Sequence, residues 1–134
     1  MRKALERGRL HNSAGDADAA IACFRASAGA AASADQLFLH VDALHMLAIA
    51  DAAHADDWTR EALALLQKTD DPRTLRWAVA LHNNAGWRHL DAGRPVEAVG
   101  AFESAREAAV LWGTPQQLVW ADEALGEARA ALGD

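Results

Sequence analysis

Apolar and small residues recur along this chain at intervals of three and four, the spacing of one helix face. The clearest run is residues 81–113, LHNNAGWRHLDAGRPVEAVGAFESAREAAVLWG. Gly86, Gly93, Ala98, Phe102 and Ala105 stand in it at intervals of seven, five, four and three. Two helices joined by a tight turn need small residues where they cross. Gly86 and Ala98 let the backbones approach, Phe102 fills the space between them, and Gly93 supplies a left-handed stop. Pro95 then suits the first turn of the second helix. The spacing predicts helices over about 73–92 and about 95–112.

The same grammar runs through the rest of the chain. Residues 2–13 form a first helix with a weak apolar stripe through Ala4, Leu5 and Leu10, broken at Gly15-Asp16. A second opens on Asp16 and Asp18, acidic residues that suit the positive end of the helix dipole. It carries Ala20, Phe24 and Ser27 and frays into the tract AGAAASA. Ser33-Ala34-Asp35-Gln36 has the form of a capping box for a third helix through Leu37, Leu44, Leu47 and Ile49 to His54. A fourth covers about Trp58 to Lys68, with Ala62, Leu63, Leu65 and Leu66 along one side. Asp71-Pro72 and Thr114-Pro115 each pair a cap with a proline in the first turn. The second of these opens a seventh helix that runs to Leu132 and stops at Gly133. Seven helices and no strand predict an all-α protein.

Composition agrees with that prediction. About a quarter of the residues are Ala, the best helix former. A hydrophobic share of 51% with 24% charge belongs to a folded chain, and 134 residues fit a single domain spanning 1–134. A net charge of -6 argues against nucleic-acid binding, which needs a basic footprint. One cysteine, Cys23, leaves no intrachain disulfide framework and fits a reducing cytoplasm. The opening MRKALERGRLHN lacks the apolar core of a signal peptide. No apolar run approaches the ~20 residues of a membrane span. A soluble cytoplasmic protein without membrane contact is expected.

The hairpin is repeated. Gly86 and Gly93 have counterparts in Gly8 and Gly15 and in Gly126 and Gly133. Gly15, Ala20, Phe24 and Ser27 match Gly93, Ala98, Phe102 and Ala105 place for place. A degenerate copy with the same spacings reads Ala50, Asp57, Ala62, Leu66 and Thr69. The pattern resembles the tetratricopeptide repeat, a helix–turn–helix unit with W-x2-L-G-x2-Y followed by A-x3-F and P. Leu125-Gly126 and Ile49-Ala50 occupy the Leu-Gly place, and His11 and His89 the Tyr place. Ala4, Met46, His82 and Asp122 stand where the signature has Trp, Arg7 replaces Leu, and the units exceed 34 residues, as in the extended variants. The resemblance covers nearly the whole chain. It implies a right-handed α-solenoid of three hairpins, at about 1–33, 34–70 and 71–113, with a capping helix at 114–132. A single hairpin cannot bury its apolar face alone, and stacking supplies the core.

The resemblance also implies a concave groove lined by the first helix of each hairpin. Places three before, one after and four or five after the Gly86 place select Leu5, Arg9 and Asn12; Leu47, Asp51 and His54; Asn83, Trp87 and Leu90; and Glu123 and Glu127. Asn83 and Trp87, four apart, form an amide–aromatic pair suited to gripping a peptide or short helix. Trp87 reads equally well as core packed against the seventh helix. The carboxylates Asp51, Glu123 and Glu127 favour a basic or amphipathic partner. Family members that clamp a C-terminal carboxylate use Lys, Arg and Asn on these faces, and only Arg9 and Asn83 would suit that role here.

No catalytic, cofactor-binding or metal-ligating residue is expected. The histidines His11, His40, His45, His54, His82 and His89 include no pair four apart on a helix. Cys23 sits beside Phe24 in a packing helix, where a thiol behaves as a small hydrophobe. The glycines form no phosphate-binding string. The expected function is a non-catalytic scaffold that holds a peptide or helix of a partner protein in the groove. The alternatives are a sensor domain for a small ligand or signalling peptide, and a structural homo-oligomerisation unit. For the latter, a homodimer would form through the seventh helix, where Trp112 and Trp120 decide whether an apolar patch is exposed.

Overall fold

Each predicted helix has a helical counterpart in the computed structural model, which describes residues 1–133, but the third ends at Ala50 and not at His54. The helices are α1 (Arg2–Ser13), α2 (Ala17–Ser33), α3 (Leu37–Ala50), α4 (Ala55–Leu66), α5 (Pro72–Leu75), α6 (Trp77–Asp91), α7 (Pro95–Trp112) and α8 (Pro115–Ala131), with a single 3-10 turn at Ala52–His54. The described residues contain no strand, so the protein is all-α. The helix expected over 73–92 is divided at Arg76 into α5 and α6.

Backbone hydrogen bonds explain where the helices stop. After α1 the Asp16 N–H donates to the His11 carbonyl at 2.8 Å and the Gly15 N–H to Asn12 at 3.1 Å. After α6, Arg94 and Gly93 donate to His89 and Leu90 at the same two distances. These are Schellman closures, and they require the positive φ of +79° at Gly15 and +75° at Gly93. The α2 end closes in the same way but with Asp35 in the left-handed place, at φ 56°. Gln36 donates there to Ala31 at 2.9 Å and Asp35 to Ala32 at 3.3 Å. The expected capping box at Ser33 is therefore absent: α2 runs through Ser33, and Gln36 opens α3 without a side-chain cap. Caps form where Asp16 accepts from the Ala19 N–H, Asp71 from Arg73, and Thr114 and Gln117 bond each other reciprocally.

The helices collect into two compact units, Met1–Asp70 and the part beginning at Asp71. In the first, α1 packs on α2, α2 on α3 and α3 on α4; in the second, α6 packs on α7 and α7 on α8. Each contains the same packing device. A methyl on Gly8 would stand 2.5 Å from Phe24 Cδ1 and 2.9 Å from Cζ; on Gly86 it would stand 2.5 and 2.8 Å from the same atoms of Phe102. Both rings are fully buried, each contributing about 1.5–3 kcal/mol of apolar burial.

Buried positions set the register of the remaining helices. Ala20, Phe24, Ser27 and Ala31 in α2 recur as Ala98, Phe102, Ala105 and Ala109 in α7, at intervals of four, three and four. In α4 the same intervals fall on Ala55, Thr59, Ala62 and Leu66. The degenerate copy is thus seven residues earlier than Ala62, Leu66 and Thr69 suggest, because the turn lies at 51–54 and not at Asp57. Gly8, Gly86 and Gly126 each stand five residues before the last residue of their helix, and in α3 that place is His45. Counted from the helix end, the α3 counterpart of the glycine place is His45; counted by the buried intervals of α4, the counterpart of the phenylalanine place is Thr59. The three-before and one-after places of α3 become Asp42 and Met46.

Candidate functional site

In the second unit, Asn83 and Trp87 project from α6 one turn apart, because helical residues four apart share a face. On α8, Trp120, Glu123 and Glu127 share a face for the same reason. These residues and Ala124 line one cleft of about 270 Å³. Trp87 has a double role. Its ring meets Phe102 edge-on, with centroids 5.1 Å apart and planes at 69°, and it packs on the cluster of Ala98, Phe102, Ala124, Leu125 and Ala128. The rest of the half-buried indole faces the cleft. Leu90 packs on the same cluster beneath it. Trp120 is 56% exposed on the opposite wall. Among the described residues, Asn83, Glu123 and Glu127 have no hydrogen-bond or ion-pair partner.

Neighbouring carboxylates are engaged. Arg106 on α7 donates to Asp122 at 2.6 Å, and Arg129 lies 3.8 Å from Glu103. Arg76 donates from Nε to the Trp112 carbonyl at 2.8 Å, tying the start of α6 to the end of α7. The scaffold around the cleft is thus cross-linked, while the polar groups of the cleft itself stand uncommitted.

In the first unit the groove residues selected from the sequence do other work. Arg9 is bonded through one guanidinium nitrogen to both oxygens of Asp42, at 2.7 and 2.8 Å, and the Asp42 side chain is only 8% exposed. Leu5 and Leu47 are buried core. Asn12 is half-buried, and its carbonyl closes the α1 turn. Asp51 caps the end of α3, accepting from Trp58 Nε1 at 3.0 Å and lying 3.1 Å from His54 Nδ1. Those bonds, Trp58 first and His54 second, hold the Asp51 carboxyl below the usual carboxylate range. Arg25 lies over the Trp58 ring at 5.2 Å. A second cavity, of about 250 Å³, is lined by Arg25, His40, Leu44, Leu47 and Trp58 among others.

Three histidines are held toward the neutral form. Burial pushes His45, His82 and His40 below the ordinary imidazole value, opposed at His45 by Asp42, at His82 by Glu107 and at His40 by Glu61. No three His, Cys, Asp or Glu side chains among the described residues are grouped to hold a metal ion. No helix among them is long and apolar enough to cross a membrane.

Sequence reasoning selected Asn83, Trp87, Glu123 and Glu127 for the cleft and missed Trp120. The available signal was its position three residues before Glu123 on the same face of α8. Comparison with known proteins gives no matching family model, curated protein or solved structure.

Proposed function

We propose that the chain is a non-catalytic binding module, a tetratricopeptide-like α-solenoid that holds a peptide or helix of a partner protein at the cleft between α6 and α8. The observation that carries the proposal is the convergence of Asn83, Trp87, Trp120, Glu123 and Glu127 on one cleft. Tryptophan supplies large contact area at low entropic cost, and polar groups without internal partners are available to fix the register of a bound chain. Repetition of the Gly8–Phe24 device as Gly86–Phe102 supports the helical-repeat reading. Two carboxylates at the cleft and a net charge of -6 favour a basic or amphipathic partner.

A displayed peptide library panned on the full chain tests this reading. Selected peptides are expected to lose binding at least about tenfold with Trp120→Ala and Asn83→Ala while the melting curve stays unchanged, since Trp120 is exposed and Asn83 half-buried. Selected peptides whose binding ignores both substitutions would contradict it. A second copy of the chain is the lesser reading. Exposed Val119 and Trp120 on α8 favour it, but Glu123 and Glu127 would face like charges in a two-fold pairing of that helix.

A further inference from the structure

Equivalent places in the two units hold different chemistry. Arg9 follows the glycine place of α1, and Asp42 stands three before that place in α3. The two meet where one Arg9 guanidinium nitrogen donates to both Asp42 oxygens, at 2.7 and 2.8 Å. In the second unit the residue after the glycine place of α6 is Trp87, and the residue three before it in α8 is Glu123. Here the place holds an indole, and the guanidinium of α6, on Arg88 one residue further on, is not part of the cleft's lining. The junction between the two faces is the open cleft, with Glu123 and Glu127 unpaired among the described residues.

We infer that the cleft takes one arginine side chain of the partner peptide, its guanidinium laid against the Trp120 and Trp87 indoles and forked onto Glu123, with Glu127 and Asn83 as further acceptors. This deepens the binding-module reading and rests on it. The planar guanidinium presents paired N–H donors that match a carboxylate and stacks on an aromatic face, which an ammonium does less well. The protein already sets a guanidinium against a carboxylate, where one Arg9 nitrogen donates to both Asp42 oxygens, and another against an indole, with Arg25 5.2 Å from the centre of the Trp58 ring. The nearby α7 and α8 arginines are not candidates to fill the cleft from within, since Arg106 is held by Asp122 and Arg129 lies against Glu103.

The test is an NMR titration of the full chain, following the indole N–H resonances of Trp87 and Trp120 and the Asn83 side-chain amide. The probes are the capped peptide acetyl-Ala-Ala-Arg-Ala-Ala-amide, its lysine counterpart, its citrulline counterpart (neutral and nearly isosteric) and free arginine. The arginine peptide is expected to move these resonances saturably and to bind at least about tenfold more tightly than the citrulline peptide. Glu123→Gln with Glu127→Gln should remove that advantage without altering the melting curve, both residues being exposed. Equal binding of arginine and citrulline peptides would overturn the inference and leave the peptide-binding reading standing. Equal binding of arginine and lysine peptides would overturn the fork in favour of charge alone. Free arginine binding as tightly as the peptide would overturn the peptide as source. No shift at the cleft with any probe up to ~10 mM, a ceiling equivalent to about 3 kcal/mol of binding, would overturn the inference; the library selection then decides the wider reading separately.

Discussion

Phe102 turns the edge of its ring onto the α-carbon of Gly86, so close that a methyl there would stand 2.5 Å from Cδ1. The ring is fully buried and cannot swing aside without disturbing Ala98, Ala124 and Leu125. Overpacking of this kind costs about 1–3 kcal/mol, against about 1 kcal/mol gained by replacing a helical glycine with alanine. Gly86→Ala is therefore expected to destabilise. Gly126→Ala, at the same place of α8 but with nothing within 4 Å, should be neutral or stabilise by up to about 1 kcal/mol. Urea denaturation of the two variants should shift the midpoint in opposite directions.

Coupling follows from the same contact. Phe102→Leu shortens the ring and leaves a void, costing about 1–3 kcal/mol by comparison with other large-to-small core changes. Combined with Gly86→Ala, the added methyl occupies part of that void. The double variant should be less destabilised than the sum of the singles by about 0.5–2 kcal/mol. Strict additivity in a double-mutant cycle would show that the two side chains do not share the space.

Arg9 is half-exposed, but its partner Asp42 is not. Arg9→Met leaves a carboxylate in a buried place without its charged donor, at a cost of about 1.5–3 kcal/mol. Arg9→Met with Asp42→Leu removes both charges and should recover a large part of that loss. Chemical denaturation of the single and double variants reads the difference; a double variant no more stable than Arg9→Met would show that the pair is not what matters at this junction.

Burial lowers the pKa of His45, His82 and His40 in the folded chain. Below the ordinary imidazole value of 6.5 the unfolded chain binds more protons than the folded one, so stability falls as pH drops from about 6.5 toward 5. Asp51 and Asp71, held low by Trp58 and Thr74, lose their contribution only below the ordinary carboxylate value of 3.8. Two separate declines are expected in a melting series from pH 7 to pH 3. His45→Gln should flatten the upper one, and Trp58→Phe should weaken the lower. An unchanged melting temperature between pH 6.5 and 5 would contradict the burial of these rings.

The helices were legible because their signals are local. Positive-φ glycines at 15 and 93, the caps at Asp16, Asp71 and Thr114, and three-and-four spacing all act within a turn or two. The α2–α3 boundary departs from the expected capping box because Asp35 takes the left-handed place usually held by glycine, and nothing in Ser33-Ala34-Asp35-Gln36 distinguishes that use from a cap. The second hairpin slipped register because it carries neither the glycine nor the phenylalanine at the places that mark the other two. Asn83 and Trp87 on α6 and Glu123 and Glu127 on α8 were legible because each spacing is local to one helix, which left Trp120 and Ala124 unselected. The Arg9–Asp42 pair was not visible, because it joins residues 33 apart and depends on how α1 and α3 meet.

In the proposed function a partner peptide seats at the cleft lined by Trp87 and Trp120. The chain has five tryptophans, at 58, 77, 87, 112 and 120, so the indole N–H spectrum offers five separate reporters. Titration with a library-selected peptide is predicted to move the Trp87 and Trp120 resonances together, with one dissociation constant, and to leave Trp58 in place. Movement of Trp58, Trp77 or Trp112 with Trp87 and Trp120 unmoved would place binding elsewhere and contradict the account.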